Sequence, residues 1–167
     1  MRAMGLLERY ARLVERLVEE LRAAYGLRLV SVAVYGSVGR GTPRADSDVD
    51  VLVVARDLPR GRLARVREYL PVEGRLAAAL ESASRGGGPI GISPVFKSPE
   101  EVERGSPLFL DMVEDAKILH DPEGFLAGYL DGLRKRLRQL GSRRIWMGNA
   151  WYWDLKPDLK PGEIIEL

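Results

Sequence analysis

The chain has 167 residues, 46% hydrophobic and 30% charged, with a formal net charge of +2, which suits one folded domain with a sizeable core and is too small a charge to imply a polyanion partner. It has no cysteine and one histidine, His120, which excludes disulfides, thiolate metal sites and zinc sites built on Cys and His. No run approaches the roughly 18 apolar residues of a membrane span, so no membrane association is expected and a cytoplasmic location is. Asn149 and Gln139 are the only residues of their kinds, while Arg and Glu abound, a balance that fits a thermophile source.

Leu6, Tyr10, Leu13, Leu17 and Leu21 recur three or four apart, predicting an amphipathic helix over 6–25 that Gly26 ends. Leu27–Tyr35 is Val-rich and strand-like, and Asp50–Ala55 is a second strand. A helical pattern covers 60–84 but contains Pro71, which predicts two helices, about 60–69 and 72–84. After a Gly-rich loop, Ile90–Lys97 reads as a third strand, and Ser98-Pro99-Glu100-Glu101 has the cap, early proline and acidic first turn of a helix start. Pro107–Leu119 is expected to be helical, with Phe109, Met112, Val113, Ala116 and Leu119 on one face and His120 capping its end or lying on the surface. Asp121-Pro122-Glu123 opens a last helix reaching about Leu140. The expected class is α+β, a small mixed β-sheet with helices mainly on one face.

The most informative stretch runs from Val34 to Val54. An apolar run stops at Gly36-Ser37, and Asp48-Val49-Asp50 opens the next one. Side chains alternate along a strand, so Asp48 and Asp50 point the same way while Val49 and Val51 face the core. Two carboxylates on one face repel unless a cation lies between them. Mg²⁺ takes one or two carboxylates plus substrate phosphates, and a Gly-Ser turn offers those phosphates backbone N–H groups and a hydroxyl. The spacing reads as a site for a nucleoside triphosphate (NTP) with one or two Mg²⁺.

At these residues the chain resembles the DNA polymerase beta-like nucleotidyltransferase superfamily, whose signature is Gly-Ser, about ten residues, then Asp-x-Asp. Arg40 and Ser47-Asp48 are similar to the minimal nucleotidyltransferases of archaea and bacteria. The resemblance implies the nucleotidyltransferase fold, with Asp48 and Asp50 as catalytic and metal-holding residues. It also implies a nucleotide site of Gly36, Ser37, Arg40 and Ser47. The reaction would pass a nucleotidyl group from an NTP, ATP first, to an acceptor hydroxyl. Such proteins are often paired with a small helical partner protein, so such a partner is implied too. The alternative is an antitoxin-like module that binds nucleotide with weak or lost catalysis.

The resemblance also implies a third acid on the next strand, where this chain has Ser93 within Ile92-Ser93-Pro94-Val95. A hydroxyl is a weaker metal ligand than a carboxylate and no base near neutral pH. Either the two aspartates suffice, or Asp111, Glu114 or Asp154 substitutes, or catalysis is lost. The basic cluster Arg134–Arg138 with Arg143 and Arg144 reads as a solvated helix face rather than a nucleic-acid strip, since Leu133, Leu137 and Leu140 mark the opposite face. Residues 1–145 are expected to form the nucleotidyltransferase domain. The remainder, 146–167, is read as a tail packed on it, in which Trp151 and Trp153 share a face and Glu163–Leu167 alternates like a short strand.

Overall fold

The computed structural model describes residues 5–85, 87–148 and 150–165. Helix α1 (Leu6–Tyr25) leads through a 3-10 turn into strand β1 (Leu29–Val34). A four-residue helical turn, α2 (Gly36–Gly39), and a loop precede β2 (Val49–Ala55). Helix α3 (Arg62–Ser84) crosses to β3 (Ile92–Lys97), followed by α4 (Pro99–Glu103), α5 (Leu108–Asp115), β4 (Lys117–His120) and α6 (Phe125–Gln139). A hairpin of β5 (Arg143–Met147) and β6 (Ala150–Asp154) closes the regular structure. The main sheet has the order β3-β2-β1-β4, with β2 and β3 parallel and the other pairs antiparallel. The expected mixed sheet is present.

Helices cover both faces of that sheet rather than mainly one. Tyr10, Leu13, Leu17 and Leu21 of α1 and Tyr69, Val72 and Leu76 of α3 pack with Val49, Val51 and Val53. On the other face Val102, Phe109, Met112, Leu126, Leu130 and Leu133 meet Val30, Ala33, Leu52 and Val54. A strand buried on both sides is apolar at every position, which is why β2 reads as an unbroken run after Asp50. Leu17 and Leu21 are fully buried, and each contributes about 1.5–3 kcal/mol by leaving water. The apolar face of α1 is thus taken up by its own sheet, and Glu20 adds ion pairs to Arg16 and, on α3, Arg75.

Two expected elements differ. Helix α3 is continuous through Pro71. The proline is exposed while Tyr69, Val72 and Leu76 around it are buried, so core contacts on both sides hold the turn that lacks one backbone donor. Helix α5 stops at Asp115 instead of Leu119, and Lys117–His120 forms the edge strand β4 on β1. Ile118 packs on one face of the sheet and Leu119 on the other, the alternation of a strand that happens to continue a helical spacing. His120 therefore ends a strand, opposite Val32, where burial and the nearby Arg22 charge hold its pKa below the ordinary value. Gly124 is the N-cap of α6, and Asp121, three residues before it, accepts from the N–H groups of Leu126 and Ala127. The expected helix start at α4 is present, and Ser98 and Glu101 cap it reciprocally.

Arg143 and Arg144 lie in β5, outside the basic helix face. Leu133 and Leu137 are buried on α6 as expected. Residues 163–165 form no strand, and Glu166 and Leu167 lie outside the described residues.

Candidate active site

The site is built where β1 hands over to α2 and β2 begins. The Tyr35 N–H donates to the Asp50 carbonyl at 3.1 Å, the last rung between the two strands. Gly36 then turns with φ +61°, and a Cβ placed there would lie 2.5 Å from Asp50 Oδ2. Only glycine brings the turn this close to the carboxylate. Ser37 and Val38 follow at the start of α2, where the first N–H groups of a helix have no partner within it.

The loop carrying Asp48 is held from several sides. The Tyr10 hydroxyl of α1 is shared between the Ser47 carbonyl at 2.6 Å and the Arg44 carbonyl at 2.9 Å. The Ser47 hydroxyl accepts from the Arg44 N–H at 2.9 Å, so it braces the turn. Asp48 Oδ1 accepts from the Gly91 N–H at 2.7 Å, and the Val49 N–H returns a bond to the Gly91 carbonyl at 2.9 Å. These bonds aim one carboxylate at the mouth of β3.

Asp50 sits partly buried at the second position of β2. Burial first, then the negative charge of Asp48, raise its pKa above the ordinary carboxylate value, and Arg40 opposes them. Tyr35, beside it, is pushed up to about 12 by burial and by the Asp50 charge. No side-chain donor bonds Asp50 among the described residues. Ser93 is its register partner on β3, exposed, and paired strand positions present their side chains to the same face. Arg40 donates through Nη1 to Asp115 Oδ2 at 2.7 Å and lies over the Trp151 ring at 5.1 Å.

Gly36, Asp48, Asp50 and Ser93 thus come together, with Arg40 close enough for its charge to reach Asp50. Among the described residues no group of three or more His, Cys, Asp and Glu side chains is placed to hold a metal ion. Of the three alternative acids, Asp111 accepts both indole N–H groups of Trp151 and Trp153, at 2.7 and 3.0 Å. Glu114 is exposed, and Asp154 sits at the far end of the hairpin, opposite Arg143. Lys156 is engaged with Glu163 at 2.6 Å. The donor set that remains, two hard carboxylates beside a turn with free N–H groups, fits Mg²⁺. One feature of the protein itself supports that fit: a partly buried Asp50 raised by a like charge is relieved by a cation.

Sequence reasoning missed Tyr10, Gly91, Asp115, Arg144 and Trp151 as parts of this architecture. Gly91 alone carried a local signal, since a glycine beside a strand often marks a close approach. A Cβ there would lie 2.9 Å from Asp48 Oδ1.

Residues 14–81 match the family model of the nucleotidyltransferase domain, a span that holds Gly36, Ser37, Arg40, Asp48 and Asp50. Over these residues the chain is similar to nucleotidyltransferases, and that likeness, with the relative below, supports an enzyme of this class. A Methanocaldococcus jannaschii relative, whose name proposes a protein adenylyltransferase, is 28% identical over 130 residues, covering 77% of this chain and 83% of the relative. A solved Sulfolobus solfataricus chain, described as a proposed nucleotidyltransferase, is 20% identical with a TM-score of 0.43, covering 73% of this chain and 92% of that one. A chain from the complex of a tri-AMPylated Shewanella oneidensis HEPN toxin with an MNT antitoxin is 16% identical with a TM-score of 0.42, covering 80% and 92%.

Proposed function

We propose that the protein transfers a nucleotidyl group, AMP from ATP first, to an acceptor hydroxyl on a protein, releasing pyrophosphate. The observation that carries this reading is that Asp50, its pKa raised by burial and by the Asp48 charge, has its Oδ2 against the Gly36 turn. Asp48 and Asp50 would hold Mg²⁺, which when bound neutralises phosphate charge and orients the α-phosphate. Gly36 lets the backbone approach, and the N–H groups at the head of α2, with the Ser37 hydroxyl, bind the outer phosphates. Arg40 adds a guanidinium for the phosphates. The acceptor oxygen attacks the α-phosphorus as the bond to the bridging oxygen of pyrophosphate breaks. The acceptor proton leaves to water, because Ser93 supplies no base. A protein acceptor is supported by the name of the Methanocaldococcus relative.

A single observation favours the second reading, a nucleotide-binding module with little catalysis: Ser93 occupies the register position beside Asp50 where an acid would complete the site. One assay separates the two. α-Labelled ATP with Mg²⁺ is incubated with the protein and an extract of its source cells, with and without ribonuclease. Label in protein that disappears with Asp48→Asn supports the transferase. Label that ribonuclease removes points to an RNA acceptor. Nucleotide binding with no label transferred supports the module.

A further inference from the structure

Asp115 is the most deeply buried acid of the described residues, 4% exposed, and it touches the site from behind. Its Oδ2 accepts from Arg40 at 2.7 Å, and the two oxygens accept from Arg144 Nη1 and Nη2 at 2.8 and 3.1 Å. Arg144 lies on β5 and stacks over Trp151 at 4.2 Å and Trp146 at 5.0 Å, while Arg40 also lies over Trp151. Trp151 is in turn tied to Asp111 on α5. The backbone of Asp115 does the same work for α2: a Cβ on Gly39 would lie 2.3 Å from the Asp115 carbonyl oxygen, so turn and helix end are in direct contact.

We infer that Asp115, clamped by the β5–β6 hairpin, is a positioning residue that fixes the Arg40 guanidinium beside the phosphate-binding turn. One carboxylate between two guanidiniums leaves one net positive charge, so Arg40 is held without being neutralised. It spends only Nη1 on Asp115, and among the described residues no protein partner takes its Nε or Nη2. A planar fork anchored at one corner and laid on an indole ring has lost most of its freedom before any ligand arrives. The hairpin therefore acts on nucleotide affinity although it need not touch nucleotide. This inference rests on the nucleotide reading of the site for its consequence, but not for its geometry.

Two measurements test it separately. By NMR on the protein without nucleotide, the Arg40 guanidinium N–H groups should exchange slowly with water, and at least about tenfold faster in Asp115→Asn, the scale of one lost charge-assisted hydrogen bond. Unchanged exchange would overturn the inference whatever the ligand. By calorimetric titration with Mg²⁺-ATP, Arg40→Ala and Asp115→Asn should each weaken binding about tenfold, and the double variant should be no weaker than Arg40→Ala alone. Losses that multiply would show that Asp115 acts on binding by a route other than Arg40 and would overturn the inference. Should Asp115→Asn fail to fold, Trp151→Leu removes the stacking surface while leaving the ion pairs. Its loss of affinity should likewise vanish when Arg40 is Ala, and an unchanged affinity in Trp151→Leu with Arg40 present would overturn the inference. A wild-type protein that binds no Mg²⁺-ATP would sink the nucleotide reading, and the exchange measurement would still decide whether Asp115 holds Arg40.

Discussion

Asp50 and Asp115 are partly or fully withdrawn from water, lie on opposite sides of the same glycine-rich turn, and are treated in opposite ways. Asp115 is satisfied by two guanidiniums and a stack of indole rings. Asp50 has a like charge nearby, only the charge of Arg40 and no hydrogen bond from it among the described residues, and a pKa above the ordinary value. Burying a charge is costly unless it is paired, so one aspartate is thoroughly paired while its neighbour is left strained, and on the proposed reading a cation from outside relieves the second. The difference between structural and chemical carboxylates here is one of supplied partners, not of depth.

The comparison breaks most visibly at Asp115. Asp115→Ala leaves Arg144, whose side chain is 12% exposed, facing Arg40 with no counter-charge, and should cost about 3–5 kcal/mol of unfolding free energy in a denaturant titration. Asp50→Ala in the same titration should cost far less; equal losses would erase the distinction. Gly36→Ala comes next. It forces a side chain into φ +61° and against Asp50 Oδ2, and should cost about 1–3 kcal/mol and weaken Mg²⁺-ATP binding. Ser93→Asp puts a third carboxylate at the register position of Asp50. Because Ser93 is exposed, the loss without metal should be about 1 kcal/mol, recovered on adding Mg²⁺-ATP, with tighter metal binding than wild type. Unchanged metal affinity would mean that Ser93 does not share the face of Asp50.

The smallest effect is the pH dependence of the metal-free protein. The folded pKa of Asp50 lies above its ordinary 3.8, so between those two values the folded state holds the proton more tightly than the unfolded state. Stability from this group is therefore greatest at low pH and falls as pH rises through the raised pKa. Asp50→Asn should remove that fall and leave the melting temperature near neutral pH unchanged or higher. A melting temperature lowered by several degrees would show Asp50 to be structural.

The candidate site stands out in the sequence because its signal is local: Gly36-Ser37, the spacing to Asp48-Val49-Asp50 and the flanking apolar runs all lie within one stretch of chain. Helix α1 and the cap of α4 were legible for the same reason, periodicity in one and a four-residue cap in the other. The second helical layer is also written in the sequence, in apolar residues at both parities of β2, as a strand covered on both faces requires. The remainder depends on pairs distant along the chain. Arg40 and Arg144 meet on Asp115, and Trp151 and Trp153 meet on Asp111, across separations that no window spans. Strand β4 was hidden by Ile118 and Leu119, whose spacing continues that of α5; only pairing with β1 makes the segment a strand.

Calorimetric titration of ATP into the wild-type protein and into Asp50→Asn, each with Mg²⁺ and with the metal chelated, decides whether the aspartate pair binds nucleotide through a metal. If Asp48 and Asp50 hold the metal through which ATP binds, binding is expected only for wild type with Mg²⁺, and none for the variant in either condition. ATP binding that is equally strong without metal, or that survives in Asp50→Asn, would contradict it.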